Sequence, residues 1–217
     1  MFPGFVTDDG YSPEPGVEHN MADRFELNLG ILNRIDPARP ILVQIASCGG
    51  NWQEGMQMFG AILQVSNPIT VLATKWARSM TSIIPLAADR FVISPTAQYM
   101  YHRGTYGFFG LDQEAETDDI ERRKMHELMM RIYVARLTEQ GVFVGYSEKE
   151  LRGMLEEKIR KNIDVWLTPD EAKQWGFVDD VFDGDMFTLR ATEKNMARRE
   201  RLLSVLRKPI KVEVTVS

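Results

Sequence analysis

Three histidines limit the choice of a general base in this sequence. His19 lies in an irregular lead-in, and His126 lies in a densely charged segment that has a helical pattern. His102 differs because it ends an apolar run typical of a strand and opens a glycine-rich stretch. A rigid strand would present its imidazole at a cleft, where it could act as a base near neutral pH. A structural or merely exposed histidine is the alternative interpretation.

A serine at a predicted strand-to-helix junction is the second candidate. It stands in the segment Ala77-Arg78-Ser79-Met80. Ser79 could simply cap the helix by accepting a backbone N–H. It could instead be a nucleophile, because the amide of Met80 would lie at a helix N-terminus, where developing negative charge is stabilised. The residue type alone does not separate these two interpretations.

Two consecutive glycines form the third candidate. Gly49 and Gly50 follow the apolar run at 41–46 and precede a helical pattern. Glycine allows backbone angles that are closed to other residues and lets a substrate approach the main chain. An amide at this point could therefore donate to an oxyanion during acyl transfer. A tight turn without a chemical role is the alternative.

The elements that would position these residues alternate between strands and helices. Short apolar runs predict strands at 41–46, 69–73, 91–93, 97–101, 163–167 and 177–182. Helical patterns lie between and after them, at 20–35, 52–63, 79–88, 112–140, 148–161, 169–175 and 192–206, with a last strand at 210–216. Alternation of this kind is typical of an α/β fold with a largely parallel sheet.

The composition is that of an ordinary globular protein, with 44% hydrophobic and 26% charged residues over 217 positions. No apolar run is long enough to span a membrane and no secretory signal is readable, so we expect a cytoplasmic protein. Cys48 is the only cysteine, which excludes an intrachain disulfide and a cysteine-based zinc site. We expect neither a metal nor another cofactor.

Charge is spread unevenly along the chain, whose net charge is −5. Eight basic residues fall within 190–211 against two acidic ones. Aromatic residues are not interleaved with these bases, as they would be on a surface that stacks nucleic-acid bases. We therefore predict a solvated or subunit-contacting tail, and nucleic-acid binding is not expected.

Taken together, four segments resemble the proteolytic subunit (ClpP) family of Clp proteases. They are Ser47-Cys48-Gly49-Gly50, Ala77-Arg78-Ser79-Met80, Met100-Tyr101-His102, and Asp164 to Gly176 with its Thr168-Pro169-Asp170-Glu171 helix start. The resemblance implies an α/β, ClpP/crotonase-like fold of repeated β-β-α units with a protruding helical handle at about 112–140. The peptidase domain would span 20–183, between an irregular lead-in at 1–19 and a C-terminal extension at 184–217.

The resemblance also implies a role for each matched residue. Ser79 would be the nucleophile, His102 its base and Asp164 the carboxylate that orients the imidazole, as a hydroxyl nucleophile requires. The backbone amides of Gly50 and Met80 would form the oxyanion hole. The family further implies a ring-forming homo-oligomer of stacked heptamers. Its chamber would admit peptides or unfolded proteins, and an AAA+ unfoldase is a possible partner.

Several residues depart from the family's motifs. Cys48 replaces a turn proline, Lys75 replaces a glycine, and Arg78 stands where a small residue is usual. Arg103-Gly104 follows the histidine in place of Gln-Pro. Bulky basic residues here could alter the substrate groove. Two alternatives therefore stay open: a crotonase-type acyl-CoA enzyme, which also uses glycine amides, and an inactive ClpP-like structural subunit.

Overall fold

The computed structural model describes residues 16–107, 110–191, 195 and 197–210. Its strands are β1 (Ile41–Ser47), β2 (Ile69–Arg78), β3 (Arg90–Ile93), β4 (Gln98–His102), β5 (Asp164–Leu167) and β6 (Asp180–Val181). The helices are α1 (His19–Ile35), α2 (Trp52–Gln64), α3 (Met80–Ile83), α4 (Asp112–Leu137), α5 (Glu148–Asn162), α6 (Pro169–Trp175) and α7 (Arg198–Leu206), with 3-10 helices at Ile84–Ala87 and Met186–Leu189.

Strand β2 is the centre of a mostly parallel sheet. β1 lies parallel along one edge of β2, while residues 70–73 on the other edge pair with β3 and residues 76–78 pair with β4. β6 continues the sheet beside β3, and β5 runs antiparallel to β4. The β1–β2 register shifts after Ile45, where β2 carries extra residues. This irregularity accompanies the change of partner from β3 to β4. The pairings as a whole confirm the predicted α/β fold with a largely parallel sheet, and they add one antiparallel edge strand.

The predicted strand at 177–182 is wrong in its extent, because only Asp180–Val181 pairs in the sheet. The amides of Phe177 and Val178 instead donate to the carbonyl oxygen of Ala172, at 2.9 and 3.3 Å. They therefore close the C-terminal end of α6. Both side chains are fully buried, so the apolar run indicated burial correctly but not the backbone pairing.

The predicted helix at 79–88 is divided. It forms α3 over Met80–Ile83 and then tightens into the 3-10 helix Ile84–Ala87. Pro85 explains the change, because proline has no N–H with which to continue the α-helical ladder. The predicted terminal strand at 210–216 lies, apart from its first residue, outside the described residues, as does the lead-in up to residue 15.

Helix α4 corresponds to the predicted handle, although it ends at Leu137. Its C-terminal half packs on the core through four fully buried residues: Met130, Ile132, Tyr133 and Leu137. From Glu114 to Leu128 the residues are exposed or only partly buried, so the N-terminal half adds no fully buried residue to the core. Within the described ranges, no helix combines the length and apolarity needed to cross a bilayer.

Aromatic packing fixes the core side of β4. Tyr99 stacks on Phe177 with ring centroids 5.0 Å apart, and Tyr101 meets Tyr133 of α4 edge-on at 5.6 Å. Tyr133 also packs edge-on against Phe177, at 5.5 Å. Rings in these arrangements gain attraction beyond the area they bury. The strand that ends at His102 is therefore rigidly backed.

Helix α7 is fastened to the domain by buried arginines. Arg198 donates to both carboxylate oxygens of Asp179, at 3.0 and 2.9 Å. Arg199 donates to the carbonyl of Val65 at 2.6 Å and pairs with the carboxylate of Asp89. The prediction of a solvated or subunit-contacting tail is wrong for these two residues, because their charges are satisfied inside the same chain.

Candidate active site

The sheet register brings the ends of β2, β4 and β5 together. Arg78 at the end of β2 pairs with Met100, and His102 pairs directly with Asp164 across the antiparallel ladder. Ser79 follows β2 immediately, and its amide donates to the carbonyl oxygen of Met100 at 2.9 Å. Side chains alternate between the faces of a strand, so His102 and Asp164 project from the same face as Met100.

Ser79, His102 and Asp164 form a continuous hydrogen-bonded chain. The Oγ atom of Ser79 lies 2.7 Å from Nε2 of His102, and Nδ1 of His102 lies 3.0 Å from Oδ1 of Asp164. A proton on Nδ1, donated to the carboxylate, leaves Nε2 free to accept the serine proton. The His102 side chain is 17% exposed and that of Asp164 42%. This arrangement can activate a hydroxyl as a nucleophile.

The backbone of Ser79 is held in a conformation that few residues other than glycine adopt, with φ 51° and ψ −123°. Such angles cost about 1–3 kcal/mol and persist only where the surroundings enforce them. The side chain makes no capping hydrogen bond to α3. The interpretation of Ser79 as an ordinary helix cap is therefore wrong, and the turn directs Oγ to His102 instead.

Buried hydroxyl groups hold the carbonyl of Ser79. Ser82 donates its single hydroxyl proton to that carbonyl at 2.6 Å, so it accepts from the hydroxyl of Tyr133, 2.7 Å away. Burial raises the pKa of Tyr133, which keeps the donor protonated. These residues link α4 to the turn that carries Ser79. Sequence reasoning missed them because nothing in the local pattern pairs Ser82 with a tyrosine 51 positions away.

Gly49 and Gly50 bring a second turn against Ser79. Their φ angles are 113° and 140°, in the region that favours glycine. A Cβ atom on Gly49 would lie 2.5 Å from Cβ of Ser79, and one on Gly50 would overlap the backbone of Val17. Val17 and Asn51 secure the turn, since Val17 donates to the carbonyl of Gly49 and accepts from the amide of Asn51. Both glycines are required by the fold.

Two further residues that sequence reasoning missed join these turns. A Cβ on Gly55 would overlap the side chain of Met80, so this glycine in α2 makes room for the residue after Ser79. The hydroxyl of Thr81 lies 2.7 Å from the carbonyl oxygen of Ser47 and accepts from the amide of Arg78 at 3.1 Å. A glycine inside a helical pattern often marks a close contact, so Gly55 could have been noticed in the sequence.

The other two histidines lie outside this hydrogen-bonded chain. His19 is exposed at the start of α1, beside Glu18. His126 lies in α4, where burial lowers its pKa to about 4 and the positive charge of Arg103 adds to the effect. Among the residues that the structure describes, no group of three or more His, Cys, Asp or Glu side chains is arranged to hold a metal ion.

Comparison with known proteins places these features in one family. The family model for Clp protease matches residues 13–185. Proteolytic subunit 1 of the ATP-dependent Clp protease from Chlamydia abortus is 29% identical over 170 residues, covering 77% of this chain and 82% of its own. The subunit from Chlamydia muridarum is 31% identical over 173 residues, covering 77% and 82%. These matches favour the Clp assignment over a crotonase-type enzyme.

A solved structure supports the same fold. A ClpP1 mutant from Listeria monocytogenes superposes with a TM-score of 0.64, at 24% identity, covering 81% of this chain and 91% of its own. The predicted fold and the predicted class, a Clp-type serine peptidase, are confirmed by these comparisons taken together. Because the family model spans most of the sequence, including all four motif segments, the chain belongs to the Clp protease family.

Proposed function

We propose that this chain is the proteolytic subunit of a Clp-type protease and cleaves peptide bonds with Ser79 as its nucleophile. The observation that carries the proposal is the chain of hydrogen bonds from Ser79 through His102 to Asp164. In a single subunit, the base lies between nucleophile and carboxylate and within hydrogen-bonding distance of each. That order of contacts, and not the order in the sequence, defines such a triad.

In the first step, Nε2 of His102 takes the hydroxyl proton while Oγ of Ser79 attacks the carbonyl carbon of the substrate. Asp164 accepts the Nδ1 proton of His102 as a hydrogen bond and stabilises the imidazolium that forms. The tetrahedral intermediate collapses as His102 gives its proton to the leaving amine. Water, activated by the same imidazole, then releases the acyl group from Ser79.

The oxyanion of the intermediate would be stabilised by the amides of Gly50 and Met80. Met80 is the first residue of α3, and the first amides of a helix have no partner within that helix. Gly50 lies in the turn that packs on Ser79, with no side chain to obstruct a substrate carbonyl. Fixed donors aimed at developing charge supply a large share of the catalysis in acyl transfer.

Assembly is the second part of the proposal. The chain would form rings, stacked as two heptamers, whose chamber admits peptides or unfolded proteins in the cytoplasm. The Chlamydia relatives are named as subunits of an ATP-dependent protease, which supports an AAA+ unfoldase as partner. The half of α4 without buried residues, 114–128, would contact a neighbouring subunit. A monomer with full activity, observed by light scattering at micromolar concentration, would rule out this role for α4.

A fluorophosphonate probe tests the chemistry directly. Wild-type protein should form a covalent adduct, and Ser79→Ala should form none. Ser66→Ala is the matched control, because this serine is exposed at the end of α2 and distant in sequence from the motif segments. Persistent labelling of Ser79→Ala would assign the nucleophile elsewhere. An assembled wild type that is not labelled would favour an inactive structural subunit, and turnover of an enoyl-CoA would favour a crotonase-type enzyme.

A further inference from the structure

Two tryptophans and an arginine form a stack on the same face of the sheet as the candidate triad. The guanidinium of Arg78 lies 4.8 Å from the ring centroid of Trp76 and 4.9 Å from that of Trp166. It also donates to the side-chain carbonyl of Gln98. Arginine stacks readily on aromatic faces because its charge is delocalised over a flat group. We call Trp76, Arg78 and Trp166 the Trp-Arg-Trp clamp.

The clamp joins strands that do not pair with each other. Arg78 on β2 pairs with Met100 on β4, and Met100 pairs with Trp166 on β5. Strands two apart in a sheet lie about 10 Å from one another, a distance that the long arginine side chain can bridge. Arg78 therefore reaches across β4 to β5. Met100, which lies between them on this face, is only 7% exposed.

Strand β5 is a short edge strand that buries Val165 and Leu167 in the core on the face opposite Asp164. It contains four residues, and in the described part of the chain it pairs with β4 alone. Ile163, immediately before it, has φ 63° and ψ −70° and is 76% exposed. A β-branched residue in this region is strained. Asp164 is thus the first residue of a short edge strand that begins directly after a strained and exposed position.

We propose that Arg78 is a positioning residue for the triad. By contacting the rings of both Trp76 and Trp166 it ties β5 to β2 across β4, and it thereby keeps the carboxylate of Asp164 within hydrogen-bonding distance of His102. Trp166 lies two residues after Asp164, so their side chains share a face of the strand. The inference rests on the proposed function, since it presupposes that Asp164 orients the catalytic base.

The same arginine could in principle bind a carboxylate of the substrate. Two observations favour positioning. The guanidinium carbon lies within 4.8 and 4.9 Å of two indole ring centroids, and one guanidinium nitrogen donates to Gln98. The half-exposed carboxylate of Asp164 also lies on this face and would repel a second carboxylate. Substrate binding by Arg78 would instead appear as a rise in KM for acidic peptides.

The test begins with steady-state hydrolysis of a neutral fluorogenic peptide by the assembled full chain. Arg78→Ala should lower kcat by about tenfold to a hundredfold, as a displacement near 1 Å can do, with KM changing less than about twofold. Lys75→Ala is the matched control: this lysine lies over the ring of Trp76, at 3.6 Å, and among the described residues it has no contact with Trp166, so kcat should stay close to wild type. Trp166→Phe keeps an aromatic face and should retain most of the activity that Trp166→Leu loses.

A double-mutant cycle then separates positioning from general destabilisation. If Arg78 acts through Asp164, Arg78→Ala should change kcat by less than about twofold once Asp164→Asn is present. Equal losses in both backgrounds would overturn the inference, and so would a wild-type kcat in Arg78→Ala. A rise in KM confined to peptides with an acidic residue would assign Arg78 to substrate binding and also overturn it.

The cycle also distinguishes failure of the clamp from failure of the proposed function. A wild type that neither hydrolyses peptides nor reacts with the fluorophosphonate would overturn the proposed function and the positioning role with it. An active wild type with an unaffected Arg78→Ala overturns the positioning role alone. If Arg78→Ala does not fold, by circular dichroism and thermal unfolding, the contrast between Trp166→Phe and Trp166→Leu decides the question.

Discussion

Two aspartates in different parts of the sheet, one beside β4 and one beside β3, show that the same side chain can have different functions. Asp164 lies in the β4–β5 half, is 42% exposed and bonds to His102. Asp179 lies beside β3, is 7% exposed, and pairs with Arg136 and Arg198. Burial alone would raise the pKa of Asp179, but the two arginines outweigh burial and lower it. One carboxylate is bonded to the proposed catalytic base, and the other is held between two buried arginines.

The contrast extends to the backbone. Among the described residues other than glycine, two have a positive φ, Ser79 and Ile163. Both lie beside the β4–β5 pair, since Ser79 donates to Met100 of β4 and Ile163 directly precedes β5. The β3–β6 half is instead closed by Arg198, which also donates to the carbonyl of Asp89 at 2.7 Å, and by Arg199. We infer that strain is concentrated where chemistry is proposed, while buried ion pairs secure the other half. The predictions below test this division.

The largest effect is expected on catalysis from Asp164→Asn. An amide in place of the carboxylate favours the wrong imidazole tautomer, so kcat should fall by about 10⁴-fold. The free energy of unfolding should change by less than about 1 kcal/mol, because the side chain is partly exposed and its bond to His102 is a single contact. Peptide hydrolysis and urea unfolding measure the two quantities. A large loss of stability with little loss of activity would reverse the assignment of this aspartate.

The reciprocal substitution, Asp179→Asn, should act on stability. It leaves the two buried positive charges of Arg136 and Arg198 facing the single carboxylate of Glu139, so unfolding should become easier by about 3–5 kcal/mol. The kcat of the remaining folded protein should stay within about threefold of wild type, since Asp179 makes no contact with the triad. Urea unfolding followed by fluorescence provides the measurement. A kcat loss as large as that of Asp164→Asn would refute the division between the two halves.

Acidification should lower the free energy of unfolding in two separate pH ranges, one set by His126 and the other by Asp179. The folded-state pKa of His126 is lowered to about 4, so the unfolded chain binds the proton first and stability falls from about pH 6.5 to about pH 4. Partial exposure limits this loss to roughly 1–2 kcal/mol. The pKa of Asp179 is lowered as well, so its stabilising contribution is present above about pH 4 and is lost only below that pH.

Unfolding free energies measured from pH 7 to pH 3 check the order of these losses. His126→Gln should remove most of the slope between pH 6.5 and 4 while leaving the steeper loss below pH 4. An unchanged slope in this variant would mean that the proton is taken up elsewhere.

Much of this organisation could be predicted from the sequence, because local patterns encode it. The Thr168 to Gly176 segment, for example, forms the predicted helix with its capping box and left-handed glycine end. Ser79, His102 and the two turn glycines could also be identified as candidates, because each follows or ends a predicted strand, and the family resemblance implied their roles. By contrast, the pairing of Ser82 with Tyr133 and of Arg198 with Asp179 depends on which surfaces meet in three dimensions. Local periodicity does not report such contacts, and so the prediction for the basic tail is wrong at Arg198 and Arg199.

A pair of buried tyrosines offers a smaller and more local test. Tyr133→Phe removes the donor to Ser82 and should cost about 1 kcal/mol of unfolding free energy, with a kcat loss of a few fold because the carbonyl of Ser79 is held less firmly. Tyr101→Phe is the matched control. Its hydroxyl is buried without a hydrogen-bond partner among the described residues, so its removal should be neutral or slightly stabilising. Equal effects of the two substitutions would show that the hydroxyl chain does not support the nucleophile.

The smallest effect is expected at Ile163, where the division between strain and stability is most local. Glycine adopts φ 63° freely, and the isoleucine side chain is largely exposed, so Ile163→Gly should raise the free energy of unfolding by about 0.5–1 kcal/mol. The added freedom should also loosen Asp164 and lower kcat by about twofold to threefold. Ile163→Val keeps a β-branched side chain and should change neither quantity. A gain in stability without any loss of activity would indicate that Trp166 alone positions β5, whereas a loss of stability would show that Ile163 is not strained.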